Sequence, residues 1–233
     1  DGIPDLAISA GQEGDGPGDS RAACGDVFVI LGRRGWPALI DLASASDVVI
    51  HGPHGGAHLA ARAIELADVN GDRIDDLLLG CGDVDGPDGA RAGAGAVYIL
   101  HGHTGLSGVL DLAEPGVADV TIWGEDAGDQ LGGSVLAAVD LDGDGIREVI
   151  AGAGGGDGPE NTRVQAGEVV VLEGRLQLPL AIDMAQPTEL LTRFYGVDGG
   201  DGLGGTGTVA LVGDFSGDQQ ADLILSTPAA NGI

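Results

Sequence analysis

The stretch Leu131-Gly-Gly-Ser-Val-Leu-Ala-Ala-Val-Asp140-Leu-Asp142-Gly-Asp144-Gly-Ile146-Arg-Glu148-Val-Ile-Ala-Gly152 decides the fold. It reads as a glycine-opened extended segment, a tight aspartate-rich turn, and a short apolar run that stops on glycine. Its second half recurs without gaps as Asp1-Gly-Ile-Pro-Asp-Leu-Ala-Ile-Ser9, Asp72-Arg-Ile-Asp-Asp-Leu-Leu-Leu-Gly80 and Asp218-Gln-Gln-Ala-Asp-Leu-Ile-Leu-Ser226. The four starts, at 1, 72, 144 and 218, lie 71, 72 and 74 residues apart. Self-similarity at a fixed period is the signature of a repeat architecture.

Two further families of segments keep the same phase. The first is Gly25-Asp-Val-Phe-Val-Ile-Leu-Gly32, Gly95-Ala-Val-Tyr-Ile-Leu-His-Gly102 and Gly167-Glu-Val-Val-Val-Leu-Glu-Gly174. The second is Asp47-Val-Val-Ile-His-Gly52, Asp119-Val-Thr-Ile-Trp-Gly124 and Leu191-Thr-Arg-Phe-Tyr-Gly196. Both are β-branched or aromatic runs closed by glycine, hence strands. With the segments before and after each aspartate turn, every period of about 72 residues holds four short strands. That predicts an all-β chain of β-propeller blades, each of four antiparallel strands. The boundaries fall at 1–55 (a partial blade with strands two to four), 56–127, 128–199, and 200–233 (a partial blade with strands one and two). The count does not close a ring, so the expectation is part of a larger propeller or an assembly. Helical repeats would need a 3.6-residue apolar period, which is absent. Leu39–Ala43, Leu110–Ala113 and Ala181–Ala185, between the third and fourth strands, read as connecting loops with a short extended piece.

Composition narrows the function. Of 233 residues 45 are Gly, 37 are Asp or Glu and ten are Arg, with no Lys, for a net charge of −27. So acidic a surface repels nucleic acid and anionic lipid and favours polyvalent cations. No run of about 18 apolar residues is present to insert into a membrane.

Each aspartate turn lies between a first and a second strand. The three complete ones carry oxygen donors at positions 1, 3, 5 and 9, with the main-chain carbonyl of position 7 as a further donor. They are Asp68, Asn70, Asp72, Ile74 and Asp76; Asp140, Asp142, Asp144, Ile146 and Glu148; and Asp214, Ser216, Asp218, Gln220 and Asp222. Calcium takes six to eight oxygens at about 2.4 Å, which such a loop and water supply. An EF-hand would need a bidentate Glu at position 12, where Leu79, Ala151 and Leu225 stand. Ser216 has no charge, so the third loop is expected to be the weakest. The N-terminal turn keeps only Asp1 and Asp5.

Together, Leu131-Gly-Gly-Ser-Val, the turn D-x-D-x-D-G-x-x-E and the strand ending in Gly152 resemble the FG-GAP repeat of integrin α-subunit propellers and bacterial surface proteins. The resemblance implies a β-propeller, Ca2+ in the hairpin loops and an extracellular or cell-surface setting. Leu59, Leu131 and Leu203 stand where the motif opens on Phe, and Ala60-Ala61 replaces Gly-Gly in the second blade.

Other chemistry is thinner. His51, His54 and His58 in one Gly-rich loop, and His101 with His103, have no equivalents in the other blades and read as solvated side chains rather than a zinc or copper site. Cys24 and Cys81 are either one disulfide or two buried thiols. No nucleophile elbow, Cys-His pair or phosphate loop is present, so no catalytic role is expected. The expected function is protein–protein interaction, adhesion or self-association through open blade edges. The alternative is a scaffold or carbohydrate-binding part of a secreted polysaccharide-active enzyme, for which two Trp and two Tyr offer few stacking platforms.

Overall fold

The computed structural model describes residues 2–208 and 210–227, and the chain is all-β. Strands β1 (Leu6–Ala10), β2 (Asp26–Ile30) and β3 (Val48–His51) form an antiparallel meander. β4 (Ile64–Ala67), β5 (Asp76–Cys81), β6 (Ala96–Leu100) and β8 (Val120–Trp123) form the next, and β9 (Leu131–Val139), β10 (Glu148–Ala153), β11 (Glu168–Leu172) and β13 (Leu191–Tyr195) repeat it. β14 (Ala210–Gly213) and β15 (Asp222–Leu225) make a further hairpin. The strands of the 72-residue period thus pair as the sequence predicts.

The chain divides into two compact units, Asp1–Ala61 with His103–Val117, and Arg62–Gly102 with Ala118–Ile233. In the second unit β5, β6, β10 and β11 are buried along their whole lengths. Burial on both faces is why they read as continuous apolar runs rather than as alternating ones. Leu78, Ile99, Ile122, Val149, Val170 and Ile182 share one core. Glycine lets neighbouring sheets meet: a Cβ on Gly80 would fall 2.1 Å from the Gly132 carbonyl, and one on Gly152 2.2 Å from the Gly204 carbonyl. In the first unit Ser9 and Ala60 take those two places, and the Ser9 hydroxyl donates to the Ala60 carbonyl at 2.7 Å.

The structure sharpens the reading of the connections: two of the three hold a short paired strand. Leu110 lies in β7 (Gly108–Asp111) and Ile182 in β12 (Ala181–Asp183), and both are strands. β7 runs parallel to β3, with Ile50 opposite Leu110 and His51 opposite Asp111, and β12 runs parallel to β8, with Ile122 opposite Ile182 and Trp123 opposite Asp183. The cause is the row of N–H and C=O groups that a fourth strand leaves on its outer edge, which the added strand satisfies. The third segment, Leu39–Ala43, is not a strand, and Asp41 caps the short helix α1 (Leu42–Ala45).

An arginine fastens each added strand. Arg21 donates to both oxygens of Asp111 at 2.6 and 2.7 Å, and Arg91 to Asp183 at 2.7 Å. Arg21 also reaches the Gly52 carbonyl at 2.5 Å and Arg91 that of Glu125 at 2.9 Å, at the ends of β3 and β8.

Candidate metal centre

The three aspartate loops share one hydrogen-bond scheme, built from carboxylates that accept main-chain N–H groups. Position 1 takes the N–H groups of positions 4 and 6: Asp68 from Gly71 and Arg73, Asp140 from Gly143 and Gly145, Asp214 from Gly217 and Gln219, all at 2.6 to 3.0 Å. Position 5 takes the N–H of position 7: Asp72 from Ile74, Asp144 from Ile146, Asp218 from Gln220. Position 3 takes the N–H of position 5 in two loops, Asn70 from Asp72 and Asp142 from Asp144. In the third loop Ser216 does not do so, and Asp218 donates to Asp214 instead. Positions 4 and 6 have left-handed backbones, including the non-glycine Arg73 at φ 72° and Gln219 at φ 71°. Winding the chain this tightly turns the carboxylates inward.

Position 9 opens the following strand and anchors the loop to the sheet. Asp76 accepts from Val69 and Gly102, and Glu148 from Leu141 and Gly174. Asp222 accepts from Phe215 and Ser216. Asp5 keeps this role in the N-terminal turn, accepting from Gly32 at 2.6 Å, while Asp1 lies outside the described residues. Burial raises the Asp76 and Glu148 carboxyls above their ordinary values, against the pull of these N–H donors.

The middle loop brings three acids together. Carboxylate oxygens of Asp140, Asp142 and Glu148 lie within 4.8 Å of one another. Asp144, held by Ile146, stands outside this group. In the other loops position 3 is Asn70 or Ser216, which leaves two acids at positions 1 and 9. The donor set of the middle loop fits a hard divalent cation: it is all oxygen, anionic and built on a rigid turn, and hydrogen-bonded carboxylate oxygens keep lone pairs for a metal.

Among the described residues no other group of three ligating side chains converges, and no histidine takes part in one. His51 pairs with Asp26 at 2.7 Å, His54 with the Gly55 carbonyl and His103 with that of Thr104. Cys24 and Cys81 are buried thiols that are not joined in a disulfide. A second charged group surrounds Arg193, which donates to Glu125 at 2.5 Å and to the Met184 carbonyl at 2.6 Å. Its Nε lies 3.4 Å from Glu168, a carboxylate with only 3% of its side chain exposed. Burial pushes Glu168 up to about 7 against the attraction of Arg193, and the nearby Asp129 to about 6.

The sequence reading missed the fastening pairs. Their signal is present: Arg21, Arg91 and Arg163 keep the blade phase, as do Asp41, Asp111 and Asp183.

Comparison with known proteins agrees with the loop geometry. No curated protein matches the chain. Residues 132–172 match the family model of the FG-GAP repeat, from the second residue of β9, through the loop with three converging acids, to the end of β11. Residues 132–172 are therefore similar to an FG-GAP repeat, and the sheet of β9, β10, β11 and β13 has the four antiparallel strands of the β-propeller blades that such repeats build.

Proposed function

We propose that this chain is an extracellular, calcium-binding propeller module that acts by protein–protein interaction, with no catalytic step of its own. The observation that carries the calcium reading is the convergence of Asp140, Asp142 and Glu148 on the tight turn between β9 and β10. Three carboxylates so close repel one another in the absence of a cation, and a cation bound only by the folded chain stabilises it by mass action. The loops of Asp68 and Asp214 repeat the backbone scheme with one charge fewer at position 3 and are weaker sites of the same kind. An extracellular setting is supported by the FG-GAP repeat, which is typical of extracellular proteins. No helix among the described residues is long and apolar enough to cross a membrane.

Calorimetric titration with Ca2+, paired with thermal unfolding in Ca2+ and in excess chelator, tests this reading. The expected result is saturable binding and a melting temperature several degrees higher with Ca2+. Identical melting curves without binding heat would reduce the loops to turns and remove the calcium reading.

A further inference from the structure

Position 3 of the 68–76 loop is an amide followed by glycine: Asn70-Gly71 stands where Asp142-Gly143 and Ser216-Gly217 stand in the other two loops. The side chain is tied at both ends, with Oδ1 accepting the Asp72 N–H at 2.9 Å and Nδ2 donating to Asp76 at 3.3 Å. Asn70 and Gly71 are half-buried and Asp72 and Arg73 are exposed, so solvent reaches the turn. An aspartate at this position would give the loop acids at positions 1, 3 and 9, the set that converges as Asp140, Asp142 and Glu148 in the middle loop.

An asparagine before glycine carries its own route to that change, because no side chain on the glycine crowds the approach of its nitrogen to the preceding Cγ. The Gly71 nitrogen bonds to Asn70 Cγ, the Cγ–Nδ2 bond breaks, and the Gly71 amide proton leaves with Nδ2 as ammonia. One water then opens the cyclic imide, at Cγ to give isoaspartate's isomer aspartate through cleavage of the new N–Cγ bond, or at the main-chain carbonyl to give isoaspartate.

In the folded loop the attack is held off. The imide nitrogen is planar and bears Cγ where the amide bore hydrogen. The Gly71 N–H points instead to Asp68 Oδ1 at 2.6 Å, and side-chain carbons of Ile146 and Leu176 lie 3.0 Å from where a Cβ on Gly71 would stand. The loop must therefore open before the ring closes. Two features favour opening: Asp68, Asp72 and Asp76 crowd one turn with like charge, and Arg73 is a non-glycine residue in the left-handed region at φ 72°. A cation held by the loop opposes it.

We infer that Asn70 is a self-modifying position, which through Gly71 loses ammonia and becomes an aspartate that supplies the missing third acid of this loop. The modification stands on the geometry alone, and its effect on the cation rests on the calcium reading.

Peptide mapping of the full chain, incubated at pH 8 in chelator and in Ca2+ beside a synthetic peptide of residues 66–76, tests it. Asn231, which also precedes a glycine and lies outside the described residues, is mapped separately. Conversion at Asn70 is expected in chelator, more slowly than in the peptide, and about tenfold more slowly again at Ca2+ about ten times its dissociation constant. Asn70→Asp, which fixes the aspartate product, is expected to bind Ca2+ at this loop about tenfold more tightly in calorimetry. The inference is overturned by an Asn70 still amidated in chelator when the peptide has fully reacted, or by isoaspartate as the sole product. In a chain that binds Ca2+, a rate that the ion leaves unchanged, or an Asn70→Asp affinity no tighter than the parent's, also overturns it. Conversion at Asn70 in a chain without any Ca2+ binding would instead sink the calcium reading and leave the modification site standing.

Discussion

Arg21 grips Asp111 through two parallel N–H···O bonds of 2.6 and 2.7 Å across 90 residues of sequence, with only 20% and 21% of the two side chains exposed. A bidentate pair so sheltered holds β7 on the edge of β3 and is worth about 1–3 kcal/mol.

Asp111→Asn is therefore expected to lower stability at pH 7 by about that amount in urea titrations. The Arg21 guanidinium holds the Asp111 carboxyl below its ordinary value of 3.8. A depressed carboxyl contributes above its unfolded value and loses that contribution as pH falls through the folded one. The gap between parent and variant should therefore close below pH 3.8, and a gap that persists in acid would assign the effect to packing.

Calcium affinity should follow the acids at position 3. Asp142→Asn keeps the bond to the Asp144 N–H and removes one charge from the converging group, so calorimetry is expected to show affinity at that loop lowered about tenfold. Ser216→Asp should raise affinity at the Asp214 loop by a similar factor.

Glu168 is expected to give the chain an inverse pH dependence. Its folded value, about 7, lies above the unfolded value of 4.5, so between these limits the folded state holds a proton that the unfolded state has lost. Stability then falls as pH rises from 4.5 to 7, by at most roughly 3 kcal/mol. Glu168→Gln should flatten this slope in thermal melts and be more stable than the parent at pH 8. An unchanged slope would move the effect elsewhere, with Asp129 the next group to replace.

Ala60 and Gly132 occupy equivalent places, at φ 53° and 73°. An L-residue there carries a left-handed strain of about 1–2 kcal/mol, partly offset by the backbone freedom of glycine in the unfolded chain. Ala60→Gly is expected to stabilise by up to about 1 kcal/mol. Gly132→Ala would push a Cβ to 2.5 Å from the Ala96 carbonyl and should destabilise by several times as much, read by chemical denaturation.

The sequence by itself determined the strands and the loops, because both rest on local chemistry. Runs such as Asp76-Leu-Leu-Leu-Gly-Cys81 and the spacing of Asp140, Asp142, Asp144 and Glu148 carry their strand and turn preferences within about ten residues, and a period of 72 residues writes them three times. Which acids converge was not legible: Asp140, Asp142 and Glu148 gather while Asp144 turns to the Ile146 N–H, a choice made by the left-handed winding at Gly143 and Gly145. The fate of the Ile-Asp-Leu segments was decided only by tertiary structure. Leu39–Ala43, Val109–Ala113 and Ala181–Ala185 are nearly the same peptide, yet one precedes and enters a short helix and two are strands. The two strands lie on the edges of β3 and β8, fastened by Arg21 and Arg91, and sequence separations of 90 and 92 residues hide those pairs from any local pattern.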